Sequence, residues 1–168
     1  SWSRMFVEGP AIKLYNIFSN RNKELGTSSG ALVAMQKITL EQQQQMIDSL
    51  DLEYQKKIDI AKASGDQKTV DDLINKNLIE RQRLLDENAI TVNKIQTNFE
   101  KTQGATRNAL MTGVDKAITE KYKGTAMADV ANLAKDKLGA SGLAEGKQYT
   151  LKMQLAAGNI DPMQMMQI

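Results

Sequence analysis

The residues whose types and spacing could do chemistry are three groups of neighbouring carboxylates. They are Asp48 with Asp51, Asp71 with Asp72, and Asp86 with Glu87. Such groups can hold Mg²⁺ or Ca²⁺, or divide acid and base roles in catalysis. All three lie on the polar side of apolar repeats and alternate with Lys and Arg. That alternation is typical of a solvated helix face, and we interpret these carboxylates as surface charge.

A second chemical candidate is the turn Gly139-Ala140-Ser141-Gly142, which is faintly similar to a phosphate-binding loop. It lacks the Lys-Ser/Thr ending of a P-loop, and no strand pattern precedes it. We therefore interpret it as a helix end followed by a link. The chain has no cysteine and no histidine, which excludes disulfides, thiolate catalysis and the usual zinc sites. We expect no enzyme activity, no catalytic residue, no metal and no cofactor.

Composition favours helix over strand, with the methionines as apolar filling between helices. The 168 residues include only 5% aromatics, two prolines and nine methionines, and the net charge is +2. Because the 22 basic residues are not concentrated in one region, we expect no specific nucleic-acid partner. No apolar run reaches the roughly 18–20 residues that span a bilayer. Membrane contact is expected only through regions outside this fragment.

The strongest pattern is a helical repeat of apolar residues between Leu40 and Thr102. Within its second half, Leu78, Leu85, Val92 and Phe99 follow one another at strict seven-residue spacing. A heptad series predicts a helix that buries one narrow stripe against another helix. The predicted interaction stripe comprises Leu50, Tyr54, Ile58, Val70, Ile74, Leu78, Leu85, Val92, Ile95 and Phe99.

The repeat is interrupted at Ala63-Ser64-Gly65-Asp66, where Gly65 can close one helix and Asp66 can cap the next. A short link favours antiparallel neighbours. The sequence therefore predicts an all-α fold built on a long antiparallel helical hairpin, coiled-coil-like and flanked by shorter helices. A capping box at Thr39 would start the first arm there, unless the preceding helix runs through. Arms of roughly 25 and 35 residues would leave the second overhanging the first.

Polar residues interrupt the stripe of the second arm. Arg81 and Asn88 lie midway between its leucines and valine, where polar groups can fix register. Alternatively, Leu84 and Ala89 take over the contact while Arg81 extends outward. We favour the second interpretation. The run Gln42–Gln45 in the first arm is predicted to be exposed surface.

The flanking regions divide the chain into three parts. Residues 1–30 contain a short helix and a flexible joint, residues 31–103 form the hairpin, and residues 104–168 are rich in Ala, Gly and Met. Short helices are predicted at Thr106–Lys123, Thr125–Leu138 and Lys147–Ala157. Asp161-Pro162 starts another helix, which is expected to continue beyond Ile168. Both ends are interpreted as cut from a longer protein.

In its general sequence pattern, the chain resembles a segment of a phage tail tape measure protein. The resemblance rests on Leu78-Ile79-Glu80-Arg81-Gln82-Arg83-Leu84-Leu85, on Gln42–Gln45 and on the closing 158–166 stretch. It covers most of the chain and carries no diagnostic motif. It implies a structural, non-enzymatic segment that packs in or at the end of the tail tube and takes part in tail assembly or DNA delivery. A hairpin that folds back favours a terminal or globular part over a ruler.

The resemblance also implies partners and a location. The expected partners are further copies of the chain and tail tube or tail tip proteins, in the virion, after synthesis in the host cytoplasm. One alternative is a helical-hairpin interaction module, as in an adaptor or secretion-apparatus scaffold. A weaker alternative is a membrane-active toxin fragment, suggested by the apolar face of residues 10–25 with Tyr15 and Phe18.

Overall fold

The structure is a computed structural model that describes Asn16 and residues 28–168. Of the described residues, 83% are helical and none lies in a strand, which confirms the all-α prediction. Residues 28–168 form six helices, numbered in chain order: α1 Ser29–Ala63, α2 Gln67–Glu100, α3 Gly104–Tyr122, α4 Ala128–Gly139, α5 Glu145–Ala157 and α6 Pro162–Met165. The short helix predicted before Gly26 lies outside the described residues, apart from Asn16.

The first long helix begins at Ser29, which confirms the alternative that the preceding helix runs through Thr39. Ser28 accepts a hydrogen bond from the Ala31 amide at 3.3 Å, which satisfies one free amide of the first turn. Thr39 lies inside the helix, and its Oγ1 donates to the Met35 carbonyl at 2.9 Å. The helix runs through Thr39, so α1 has 35 residues and α2 has 34. The predicted overhang of the second arm is therefore wrong.

The predicted break between the long helices is confirmed. Gly65 adopts φ +75°, a left-handed conformation that other residues rarely adopt. Asp66 caps α2 by accepting from the Thr69 amide at 3.1 Å and from Thr69 Oγ1 at 2.6 Å. These two bonds lower the pKa of Asp66. Three residues thus reverse the chain.

The two long helices pack against each other in antiparallel directions. Their cross-helix hydrogen bonds join Gln43 to Thr91, Asp51 to Arg81, and Tyr54 to Glu80. The partner's number falls as the first number rises, as an antiparallel pair requires. Each helix is about 50 Å long at 1.5 Å per residue.

Buried apolar residues form two separate clusters along this pair. We call residues 46–88 the arm, since its cluster joins only α1 and α2. We call residues 28–45 and 89–168 the base, since its cluster draws on all six helices. The arm cluster consists of Ile47, Leu50, Tyr54, Ile58, Ala61, Val70 and Leu84. The base cluster includes Val33, Leu40, Ile95, Phe99, Leu110, Val114, Ile118, Leu138, Tyr149, Met153, Leu155 and Met165.

Helix α5 lies at the centre of the base, in contact with α1, α2, α3 and α4. The Tyr149 ring stacks on Phe99 with centroids 4.5 Å apart, and its hydroxyl donates to Gln36 Oε1 at 2.6 Å. Gly146 lets α5 approach α2 closely, because a Cβ there would lie 2.9 Å from Glu100 Oε1. The helices predicted within 104–168 are confirmed as α3, α4 and α5, and they share one core with the ends of the long helices.

Candidate interaction surface

The predicted interaction stripe divides into buried and exposed residues. Six of its members are buried: Leu50, Tyr54, Ile58, Val70, Ile95 and Phe99. Leu85 and Val92 are half-buried. Ile74 and Leu78 remain 43% and 60% exposed. The expectation of one continuous seam is thus corrected at Ile74 and Leu78, which do not face α1.

The reason lies in the seven-residue spacing itself. A straight α-helix has 3.6 residues per turn, so a strict heptad series drifts around it by about 20° per heptad. From Phe99 back to Leu78 the series rotates by about 60°. Burial follows that rotation: Phe99 is 1% exposed, Val92 and Leu85 are half-buried, and Leu78 is 60% exposed.

A different set of α2 residues faces α1 in the arm and at its border with the base. Leu84 is 1% exposed and Thr91, seven residues later, is also 1% exposed. Val70, toward the tip of the arm, and Ile95, within the base, are buried on the same face of α2. The interpretation that Leu84 takes over the contact is confirmed, whereas Ala89 is exposed and does not take part.

Buried amide and hydroxyl groups mark the border between the arm and the base. Gln43, fully buried, donates from Nε2 to Thr91 Oγ1 at 2.7 Å and accepts at Oε1 from Asn88 Nδ2 at 2.8 Å. Thr91 Oγ1 in turn donates to the Glu87 carbonyl at 3.1 Å. The prediction of an exposed glutamine run is therefore wrong for Gln43. A side-chain amide is tolerated there because both of its ends are bonded.

Charged and phenolic groups form two pairs across the arm. Arg81 Nε donates to Asp51 Oδ2 at 3.2 Å, and both side chains are partly exposed, at 42% and 38%. The Tyr54 hydroxyl donates to Glu80 Oε1 at 3.0 Å. Burial raises the pKa of Tyr54, and the bond to Glu80 and its charge raise it further. Arg81 thus points away from the apolar seam while it ties the two helices together.

The exposed part of the predicted stripe forms a separate surface on α2. We call Ile74, Leu78 and the half-buried Leu85 the outer stripe. Their spacing of four and seven residues places them on one side of the helix, about 100° around it from Leu84. Ile79 is also 60% exposed, but the next position of a helix is turned by 100°, so Ile79 lies on the other flank.

One carboxylate of each group is bonded to a glutamine of its own helix. Asp48, Asp71 and Asp86 each accept a hydrogen bond from a glutamine four residues earlier, at 2.9–3.0 Å. No group of three or more His, Cys, Asp or Glu residues in the described part of the chain could hold a metal ion. Gly139–Gly142 ends α4 and begins a link, as predicted, with Ser141 Oγ donating to the Leu138 carbonyl at 2.7 Å.

The base holds a buried cation, Lys152, and shallow depressions on its surface. Lys152, 4% exposed, pairs with Asp115 Oδ1 at 2.8 Å and so fixes α5 against α3. A groove of about 330 Å³ lies between α1 and α3, where Gly113 faces Val33. A smaller one of about 200 Å³ lies between Leu138 and Met165.

Tyr122 is the second tyrosine with a shifted pKa. In the base, burial raises the pKa of Tyr122, with a smaller contribution from the charge of Asp161.

Sequence reasoning missed the bonded Gln43 and the central position of α5. The buried face of α2 had a signal in the sequence: Val70, Leu84 and Ile95 are spaced by 14 and 11 residues, which is close to four and three turns of an α-helix.

Among the described helices, none combines the length and the apolar character needed to cross a membrane. Comparisons with protein-family models, with curated proteins and with solved structures give no match to this chain.

Proposed function

We propose that this chain is a structural, protein-binding segment whose arm docks a further helix along the outer stripe. The observation that carries the proposal is Leu78, an apolar side chain 60% exposed in the middle of a regular helix. Ile74 is 43% exposed one turn away on the same side. Apolar residues that are aligned on one side of a helix and left uncovered are the usual contacts of a second helix.

The size of the exposed surface sets the expected strength of docking. Full burial of a leucine or isoleucine contributes about 1.5–3 kcal/mol, and roughly half of that remains to be gained at Ile74 and Leu78. The two residues together then contribute about 2 kcal/mol. Such docking is weak between free molecules, and it is strong only where an assembly holds the partners together.

The more specific proposal is a segment of a phage tail tape measure protein, at or near an end of the tail tube. Its support is the resemblance in general sequence pattern together with the antiparallel course of α1 and α2. Helices that fold back add little length per residue, which suits a terminal part better than a ruler. We further propose that the arm is a coiled-coil-like hairpin, as the seven-residue step from Leu84 to Thr91 suggests.

An adaptor or secretion-apparatus scaffold is the second candidate. It is favoured by the compact base, in which α5 contacts four other helices and holds one end of the arm. The two candidates differ in location. Mass spectrometry of purified phage particles would find peptides of a tail protein, and their absence from such particles would favour the adaptor.

The docking surface itself can be tested by the reactivity of single cysteines, because the chain has none of its own. Leu78→Cys and Ile79→Cys form a matched pair, since both residues are 60% exposed and adjacent. In the dilute purified chain we expect similar labelling by a maleimide. In the assembly to which the chain belongs, we expect labelling at position 78 to be at least about tenfold slower than at position 79, because burial excludes the reagent. Equal labelling at both positions in the assembly would contradict the proposal.

A further inference from the structure

We infer that the outer stripe docks on the outer stripe of a second copy of this chain, in an antiparallel, two-fold arrangement. The inference rests on the proposed function and names its partner. A two-fold axis makes an interface self-complementary: if residue i faces residue j, then j faces i. The question is whether one register satisfies both the apolar and the charged residues of this surface.

One register does so. With the axis at the level of Lys76, Ile74 faces Leu78 of the second copy and Leu78 faces its Ile74. The same register sets Asp71 opposite Arg81, since both pairs of numbers have the same mean. Asp71 is exposed on the side of the outer stripe. Arg81 bonds to Asp51 through Nε, and its forked guanidinium has further donors for a second carboxylate.

A parallel arrangement of the same surfaces is disfavoured by charge. It would place Asp71 beside Asp71 and Arg81 beside Arg81, and like charges at such contacts oppose association. The other residues of α2 that border the outer stripe are uncharged: Gln67, Asn75, Gln82 and Ala89. On α1, Asp51 also lies at this border, where it is bonded to Arg81. The charge pattern of α2 thus favours the antiparallel register.

The base leaves room for this arrangement. In the proposed register, residues 67–85 of the two copies overlap along about 28 Å of helix. Position 89, where the base begins, faces the level of position 63 of the second copy. Residue 63 lies at the tip of the arm, so the base of each copy lies beyond the tip of the other copy's arm. The contact therefore involves the arms alone.

The test uses oxidative cross-linking of two purified single-cysteine variants, Ile74→Cys and Leu78→Cys, one of them enlarged by a tag. At concentrations up to about 1 mM, we expect the mixed 74–78 disulfide to form at least about fivefold faster than either homodimer, since facing residues come within disulfide range. Ile79→Cys supplies the background rate. Faster 74–74 and 78–78 links, as a parallel contact requires, would overturn the inference, as would mixed linking at the background rate.

A charge variant tests the same register without altering the apolar residues. Asp71→Arg would face Arg81 of the second copy, and we expect the dissociation constant from sedimentation equilibrium to rise at least about fivefold. Asp72→Arg changes the neighbouring carboxylate by the same charge off the stripe, and serves as the control. An equal effect of the two substitutions would contradict the register. Wild-type chain that stays monomeric even at about 1 mM, together with protection of position 78 in the assembly, would reject self-docking and retain the proposed function.

Discussion

The base and the arm are built from the same two long helices, yet they are held together differently. In the base, α5 inserts between its neighbours and nine of its 13 residues are buried. In the arm, each helix has only the other as a packing partner among the described residues, and one apolar seam joins them. A side chain removed from the base therefore affects several helix contacts at once, whereas one removed from the arm affects a single contact. Local opening is expected at the arm.

The same difference explains where exposed apolar residues collect. The base covers the drifting heptad series at Val92 and Phe99, because both belong to its cluster and α5 packs on α2 there. In the arm nothing among the described residues covers Leu78, which stays 60% exposed. The outer stripe is thus the part of one continuous pattern that extends beyond the base. Its position on the less supported region suits a surface that is completed by a partner.

The largest effect is expected in the base, from Tyr149→Ala. This substitution removes the ring stacked on Phe99 and leaves Gln36 Oε1 without its 2.6 Å donor. We expect the free energy of unfolding, measured by urea denaturation, to fall by about 3–5 kcal/mol. Tyr149→Phe keeps the ring and should lose only about 1–2 kcal/mol. Equal losses for the two variants would mean that the stack contributes nothing.

Leu84→Ala should weaken the arm and spare the base. Leu84 is 1% exposed in the apolar seam of the arm, and its truncation should cost about 2–4 kcal/mol locally. We expect trypsin to cut faster at Lys56 and Lys62, while fragments of the base persist. Leu78→Ala, on the exposed side of the same helix, should leave the cleavage rates within about twofold. Faster cleavage throughout the chain would show that arm and base open together.

The bonded groups at the border allow a double-mutant cycle. Gln43→Leu strands the groups of Asn88 and Thr91 that bond to it, and should cost about 1–3 kcal/mol. Thr91→Val removes the other end of the same bond. We expect the double variant to lose less than the sum of the two, with a coupling of at least about 0.5 kcal/mol in urea denaturation. Strict additivity would mean that the bond does not form.

Tyr54→Phe should have the smallest effect, about 0.5–1.5 kcal/mol, because only the bond to Glu80 is lost. The pKa of Tyr54 is raised above its ordinary value of 10.0 in the folded chain. The stabilising effect of its neutral form is therefore fully present below about pH 10 and is lost as the pH rises through the folded pKa. Wild-type stability should fall more steeply than that of the variant above about pH 10. Identical slopes would contradict the raised pKa.

The elements that could be predicted from the sequence are those with local causes. Gly65 and Asp66 act through their own backbone and side-chain preferences, and Asp161 with Pro162 starts α6 for the same reason. The facing of α2 was missed because two apolar series share the helix, and the packing of α1 buries the series of Val70, Leu84 and Ile95 rather than that of Leu78 and Leu85. The burial of Gln43 depends on Thr91, which is 48 residues away. Leu78 was identified in the sequence, but its exposure became evident only with α1 in place.

The central claim is that a supported base carries a more weakly held arm whose outer stripe awaits a partner. Native-state hydrogen exchange of the dilute wild-type chain tests it most directly, since it reads the free energy of opening amide by amide. The account predicts that amides around Leu50, Tyr54 and Leu84 exchange through local opening, at a free energy clearly below that of amides around Tyr149 and Met153. One common opening free energy for both regions would contradict it.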